Sequence, residues 1–568
     1  MQNLISVIPD KCTGCGACIR SCPAPEANFY TTSDDGRKIV QVNDDKCIVC
    51  GKCLHECKHD ARDFEDDTTK FFKDIANKRV VLIVSPAIRA AFPDKWVEML
   101  KWLKQEGVFA LYDMALGGDI CSWANLRAVE TNKMKYALSS HCPAVVNYIT
   151  TYRHDLVSDL SPVYSPAACM AVYIRTYLKV NYSIGVLTSC VGTKTDMGDS
   201  NLIEYNVTFK RFEEELIRRK VNLGRSASSS ETYSFEDETG ALGTILIRPS
   251  GLRDNIWSRE PEVNLSSASG KEVLKYISEF GASPKHAHPV LTDCIACEEG
   301  CALGPGMDWD VSYFAVQDIL HQQELDARSR RKTGIMNGPD KQYKKFDEIF
   351  NVKSFMRDHK ERGGARNEIT SEALNAAYLK MGKTTDKEKS FNCGACGCST
   401  CREMAEKIAL GGDIPENCLI YARSSSGGSV DNSAVNKKMT QMTVVAEKVR
   451  AYADHLLADI ENIYASLYNI DDANHQSQSR STIVRDILSK IVGFCNSCES
   501  IDSDNLPILV STLEKLQTAM DSLNSLIDDS VSNSTTIREA MKEVADATTE
   551  LNVMVCELIE EPSKESAV

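Results

Sequence analysis

Two stretches near the N-terminus repeat one cysteine spacing. CTGCGACIRSC places Cys12, Cys15, Cys18 and Cys22, and CIVCGKCLHEC places Cys47, Cys50, Cys53 and Cys57. The pattern C-x2-C-x2-C-x3-C lets one tight loop wrap three corners of an iron-sulfur cubane while the fourth thiolate crosses to a second cubane. The rule predicts two 4Fe-4S clusters, one on Cys12, Cys15, Cys18 and Cys57, the other on Cys47, Cys50, Cys53 and Cys22. Zinc is the alternative for thiol sets of this kind, and two full copies of the spacing argue against it. Gly14, Gly16, Ala17 and Gly51 leave room for backbone N–H groups to approach the sulfides. Lys58 stands where such runs usually carry Pro, without removing a ligand. The chemistry of this module is storing and passing electrons.

A third group, NCGACGCSTCREMAEKIALGGDIPENC, sets Cys393, Cys396, Cys401 and Cys418 in the order C-x2-C-x4-C-x16-C. Four thiolates suffice for one more 4Fe-4S cluster, with a zinc ribbon as the alternative. The segment resembles the small single-cluster domain of several anaerobic redox proteins, and Cys398 is left over as a spectator. Between these groups, LTDCIACEEGCALGPG offers Cys294, Cys297 and Cys301, too few for a four-thiolate site. Remote partners are available in Cys142 of KYALSSHCP and Cys190 of VLTSCVGTK, each at a strand or loop end. Cys121 and Cys169 read as core residues and Cys294 as a buried spectator thiol. Cys495 and Cys498 form a lone CxxC, weak as a metal signal.

These groups need elements to hold them. Over 78–320 apolar runs alternate with helical patterns: RVVLIVSP, YSIGVLTS and GTILIRPS read as strands, DKWVEMLKWLKQEG as an amphipathic helix. The alternation predicts an α/β domain, and CREMAEKIALGG reads as a helix ended by Gly411 and Gly412. ARSSSGGSVDNSAVN is a Ser/Gly-rich linker, and beyond it apolar residues from Met439 to Ile470 and from Leu509 to Leu558 keep a 3-4 spacing that predicts coiled-coil helices. The expected layout is a two-cluster ferredoxin-like domain at 1–76, an α/β domain at 77–330, a helical connection at 331–385 and a single-cluster domain at 386–421. The linker at 422–435, the coiled coil at 436–560 and a disordered tail at 561–568 follow. The fold class is thus multidomain, α+β and α/β, with a small Fe-S domain and a C-terminal α-helical part.

A chain of 568 residues is too long for one core, and its formal charge of -15 opposes a nucleic-acid surface. No run could span a bilayer and no leader pattern opens the chain, so a cytoplasmic location is expected. In that reducing setting 23 cysteines point to metal ligation.

With the motifs assembled, residues 1 to about 320 resemble the iron-only (FeFe) hydrogenases. SSHCP is similar to that family's TSCCP, LTSCVGTKTDM to its MPCxxKxxE, and DCIACEEGCALG to its MACxGGCxxGG, in the same order. SPAIRAAF and YSPAACM also match family segments. The resemblance implies that Cys142, Cys190, Cys297 and Cys301 hold a 4Fe-4S cluster, and that the Cys301 sulfur bridges to a diiron unit carrying CO, CN and an azadithiolate. It makes His141, Ser165 and Lys194 the candidate catalytic residues. His141 stands where the family has a proton-passing Cys, and an imidazole could relay protons; a loop spacer is the other reading. Ser165 matches a relay serine. Asn125 and Ala128 fall where the family's relay carboxylates would be. Lys194 lies four residues after Cys190 rather than three, with Thr193 in the family's lysine position.

Three functions follow. The first is a slow, sensory hydrogenase that detects hydrogen or redox state and signals through the coiled coil, as a homodimer or with a signalling partner. The second is a catalytic hydrogenase exchanging electrons with ferredoxin or a similar carrier. The third is a non-catalytic Fe-S scaffold. For the first two, the resemblance implies hydrogen and protons as substrates and maturation proteins as partners.

Overall fold

The computed structural model describes residues 4–24, 26–33, 35–131, 134–223, 233–308, 311–332, 341–363, 369–398 and 400–425. The chain divides into two compact units, Met1–Ser426 and Gly427–Val568. The segments 436–560 and 561–568, most of 422–435, and Cys495 and Cys498 lie outside the described residues.

The repeated cysteine spacing at the N-terminus folds as a repeated structure. Strands β1 (Ile5–Val7), β2 (Asn28–Thr32), β3 (Lys38–Val42) and β4 (Arg62–Phe64) pair antiparallel, β1 with β4 and β2 with β3. Two one-turn helices, Ala17–Arg20 and Lys52–His55, each start from a left-handed glycine, Gly16 at φ 71° and Gly51 at φ 72°. Each helix carries the third cysteine of its set. Gly51 is required twice over, since a Cβ there would also stand 2.3 Å from the Cβ of Pro305 in the next domain.

The middle of the chain builds two parallel sheets. One orders β5 (Val80–Val84), β6 (Ala110–Asp113), β8 (Ser183–Thr188) and β9 (Tyr205–Thr208) as β6-β5-β8-β9. The other orders β7 (Ala137–Leu138), β10 (Leu265–Ser269) and β11 (Leu291–Ile295) as β10-β11-β7. Strands β5 and β11 are buried along their whole length, as expected for parallel strands covered on both faces. The helix Met114–Glu130 is buried on nearly every side, which is why its apolar residues show no single stripe. Among the described residues no helix is long and apolar enough to cross a membrane.

Two expectations change. GTILIRPS is not a strand but a tight helical turn, Leu242–Ile247, buried throughout. The cause is Asp119 on the neighbouring helix, whose carboxylate accepts the N–H groups of Ala241 at 2.6 Å and Gly243 at 2.8 Å. Gly243 passes so close that a Cβ would sit 1.9 Å from the Ala115 carbonyl oxygen. A buried carboxylate that takes backbone donors overrides β propensity, and periodicity cannot distinguish a short buried run from a strand.

The stretch 331–385 is only partly helical, and the core of the middle domain runs past residue 330. After the helix Lys341–Ile349 a helical turn, Val352–Phe355, leads into a strap at 356–363, and a further helix spans Ser371–Lys380. Trp123 is ringed edge-on by Phe346, Phe350 and Phe355 at 5.8–6.0 Å, and its indole donates to Asp347 at 2.9 Å. Each such aromatic pair adds about 0.5–1.5 kcal/mol beyond its buried area. The strap then pairs along the middle domain: Tyr164 N–H donates to the Phe355 carbonyl at 3.0 Å, and Arg357 N–H to that of Pro162 at 2.7 Å.

The predicted helix of the last cysteine group spans Cys401–Ala409, with the Thr400 hydroxyl capping Glu403 N–H at 3.0 Å. Gly411 takes the left-handed φ of 73° that ends it. A small core of Ala377, Tyr378, Met381, Met404, Ala405 and Ile408 supports this domain. The helix Leu419–Ser425 extends into the stretch expected to be linker.

Candidate functional site

Parallel strands present their carboxyl ends as a place for ligands, because the following loops converge there. Three loops of the middle domain do this. β7 leads to Cys142, β8 to Cys190, and β11 to Cys297 and Cys301. The four thiols, drawn from both sheets, lie near enough that each would feel the others' charge. Burial pushes all four upward, Cys190 to about 11. Such a nest of buried sulfurs resists ionisation by itself and suits a strongly positive core that would neutralise four thiolates, as an iron-sulfur cluster does.

The loops are fastened to one another. Ser189 hydroxyl donates to the Cys301 carbonyl, and Gly306 N–H returns to the Ser189 carbonyl at 2.6 Å. Ala296 N–H points at the Cys142 sulfur at 3.5 Å, the kind of donor that tunes a thiolate ligand. The loop before Cys142 is pinned by its serines. Ser139 accepts from Cys294 N–H at 2.8 Å and donates its own N–H to the Thr292 carbonyl at 2.9 Å, while Ser140 hydroxyl donates to the Val163 carbonyl at 2.5 Å. Cys294 itself is fully buried among apolar side chains, in keeping with a spectator.

His141 emerges from this pinned loop into the interior, its side chain 4% exposed. Its Nε2 lies 3.4 Å from Oδ1 of Asp293, itself 1% exposed, without hydrogen-bond alignment. Among the described residues neither ring nitrogen has a hydrogen-bond partner, nor does Asp293 Oδ1. Burial lowers the imidazole against the pull of Asp293, and burial raises Asp293 against the pull of His141. Sequence reasoning missed Asp293, although an acid inside the apolar run of β11 was the signal.

The other two catalytic candidates are committed elsewhere. Ser165 caps the helix Pro166–Val172 and gives its hydroxyl to Asp196 Oδ2 at 2.5 Å. Lys194 forms an ion pair with Asp67, whose other oxygen accepts Asn206 N–H at 3.0 Å. Thr193, in contrast, bonds to the Cys190 thiol through both side chain and backbone. The one-residue offset thus puts Thr193 beside the Cys190 thiol and turns Lys194 toward Asp67. Asn125 accepts from Ser161 hydroxyl at 2.7 Å and donates to the Cys121 carbonyl at 2.9 Å. Ala128 is buried in the core.

The N-terminal cysteines gather in two places. One cavity is lined by Cys12, Cys15, Cys18 and Cys57. Cys22 lies instead with Cys47, Cys50 and Cys53, each of which feels its charge. The fold thus places Cys57 beside the thiols of the first set and Cys22 beside those of the second. Arg62 donates to the Cys18 sulfur at 2.7 Å and also acts on Cys53, so one cation serves both groups. The second group abuts the middle domain, with Cys50 near Cys297 and Asn147 donating to the Ile48 carbonyl at 3.1 Å.

The last cysteine group docks on the first. Cys393, Cys396, Cys398, Cys401 and Cys418 line one cavity. Cys398 hydrogen-bonds to Cys396, holding that thiol down at about 6 while being raised itself. Lys407, 4% exposed, donates to the Arg20 carbonyl at 2.8 Å, and Asn417 to the Tyr30 hydroxyl at 2.7 Å. The three cysteine groups and the three-loop nest thus form a continuous series, which the sequence did not reveal.

Comparison with known proteins bears on this arrangement. Residues 78–258 match the family described as iron only hydrogenase large subunit, C-terminal domain. Residues 4–58 match a 4Fe-4S dicluster domain and residues 390–420 a putative Fe-S cluster domain. Among solved structures, two variants of the [FeFe]-hydrogenase HydA1 from Chlamydomonas reinhardtii are similar at 12% and 13% identity. Each covers 52% of this chain and 99% of its own, with TM-scores of 0.39 and 0.40. A structure described as stepwise H-cluster assembly in HydA(deltaEFG) gives 13% identity, the same coverages and a TM-score of 0.39. No curated protein matches the chain.

Proposed function

We propose, from the premise that this chain is a member of the iron-only hydrogenase family, that it is a slow hydrogenase whose redox state is read out as a signal. In this reading Cys142, Cys190, Cys297 and Cys301 would hold a 4Fe-4S cluster, and Cys301 would also hold the diiron CO/CN/azadithiolate unit. Cys12, Cys15, Cys18 and Cys57, then Cys47, Cys50, Cys53 and Cys22, then Cys393, Cys396, Cys401 and Cys418 hold three more clusters. The diiron unit, when bound, supplies the interconversion of H2 with two protons and two electrons.

The chain's own residues handle the rest. With clusters in place, these groups would offer electrons a route from the nest through the Cys47 group to the Cys12 group and on to the Cys393 group, in the order in which the groups abut. His141 is the titratable side chain beside Cys142 that could take or give a proton. The observation that carries the slow reading is the lack of acids at the positions the resemblance gives to the relay: Asn125, held by Ser161, and Ala128 cannot exchange protons. Turnover needs a fast proton route, whereas sensing needs only occupancy of a state coupled to an output. The heptad-bearing segment 436–560 is that output, as a homodimer or with a signalling partner. A ferredoxin or similar carrier exchanges electrons at the outer clusters, maturation proteins load the diiron unit, and the protein works in the cytoplasm.

Anaerobic reconstitution with the diiron cofactor, followed by infrared spectroscopy, tests the proposal. CO and CN bands with weak hydrogen turnover are expected. Absence of bands under full reconstitution favours the Fe-S scaffold, and rapid turnover favours the ordinary catalytic hydrogenase.

A further inference from the structure

We infer that Asp293 is the positioning residue for His141, holding the imidazole by Nε2 so that Nδ1 is the nitrogen offered to the group held by Cys142 and Cys301. This rests on the proposed diiron reading, and it adds a residue to it.

Three features lead there. The first is register. β7 and β11 run parallel with Leu138 opposite Thr292, so Asp293 follows Thr292 just where the chain after Leu138 turns toward Cys142. The pinning of Ser139 and Ser140 fixes that turn and delivers the ring of His141 to within 3.4 Å of the carboxylate. The second is anchoring. Asp293 Oδ2 accepts the N–H groups of Leu252 at 2.9 Å and Arg253 at 3.2 Å. One oxygen is thereby locked to the backbone and the other, Oδ1, is left aimed at the imidazole. The third is the count of orphans: Oδ1 and both ring nitrogens are buried without a hydrogen-bond partner among the described residues. Buried polar atoms in that state are costly, and a small ring movement would satisfy two of them against each other. The remaining orphan, Nδ1, lies on the other edge of the ring and needs a partner from the nest. Cys142 is the next residue after His141, and both Cys142 and Cys301 feel the Asp293 charge, so the dyad lies near the thiols.

A carboxylate behind a histidine sets ring orientation and tautomer, and loss of such a partner commonly costs about 10–100-fold in site function. The rival role is purely structural, since Asp293 also secures the start of the helix Gly251–Trp257. Asp293→Asn separates the two, because the amide keeps an oxygen for the Leu252 and Arg253 N–H groups while removing the charge that orients the ring.

The full chain, loaded with clusters and diiron cofactor and labelled with 15N-histidine, is compared as wild type, Asp293→Asn, His141→Ala and the double variant. The signal absent from His141→Ala identifies His141. We expect a single tautomer for it in the wild type and a changed or mixed one in Asp293→Asn. Iron content should be unchanged, CO and CN bands shifted, and turnover about tenfold lower. In the His141→Ala background, Asp293→Asn should have no further effect. An unchanged His141 tautomer overturns the inference, as does an Asp293→Asn effect of undiminished size without His141. If the wild type shows no CO or CN bands, the diiron reading falls instead, and the tautomer comparison in the cluster-loaded protein still decides the role of Asp293.

Discussion

Arg357 donates to Asp196 at 2.5 Å in the interior of the protein, the guanidinium side chain 7% exposed and the carboxylate 2%. The arginine comes from the strap that follows Phe355, and the aspartate lies six residues after Cys190. Through Asp196 the strap also reaches Ser165, so a segment far along the chain fixes the surroundings of a residue expected to relay protons.

Arg357→Met should therefore be strongly destabilising, by about 3–5 kcal/mol, because it leaves Asp196 buried without its cation. The companion double variant, Arg357→Met with Asp196→Leu, should recover much of that loss. Denaturation midpoints of the three proteins check this. Equal midpoints for wild type and the single variant would show the pair to be energetically idle.

Lys407→Met should loosen the last cysteine domain from the N-terminal lobe. The buried amine donates to the carbonyls of Ile19 at 3.4 Å and Arg20 at 2.8 Å, at the C-terminal end of a short helix, where a cation is favourable. Removing it should cost about 1–3 kcal/mol at that contact. Stopped-flow reduction should show slower electron exchange between the Cys393 group and the rest, with iron content intact. Unaltered kinetics would mean that the docking does not carry electrons.

His141→Cys should raise hydrogen turnover with little change in cofactor loading, since it restores the thiol that the family places there. The gain should be modest, because Asn125 and Ala128 still interrupt the route. Hydrogen evolution assays beside infrared spectra measure both quantities. Equal rates in the two proteins would remove this position as the limit on proton transfer.

Deleting residues 435–568 should leave iron content and infrared bands unchanged, because every proposed ligand precedes the cut. Oligomeric state should fall, since so long an apolar seam needs a partner helix. Light scattering on both forms decides, and a full-length monomer would exclude the homodimer.

The amino-acid sequence by itself determined which atoms can bind metal. Thiol spacing is a local property: a C-x2-C-x2-C-x3-C loop can reach three cubane corners and not a fourth, so the grouping of Cys22 with the Cys47 set could be expected before any fold was known. Buried strands such as Val80–Val84 and the helix Cys401–Ala409 were legible for the same reason, their patterns being set by near neighbours. Tertiary structure alone decided the partners of those atoms. Asp293 meets His141 through a strand register, Arg357 meets Asp196 through a strap outside the hydrogenase-like segment, and Lys407 meets Arg20 across nearly the whole described chain. GTILIRPS bends into a helical turn because Asp119 takes its N–H groups. Each of these is a buried polar group finding its counterpart at long range, and burial makes such pairings compulsory without writing them into any local pattern.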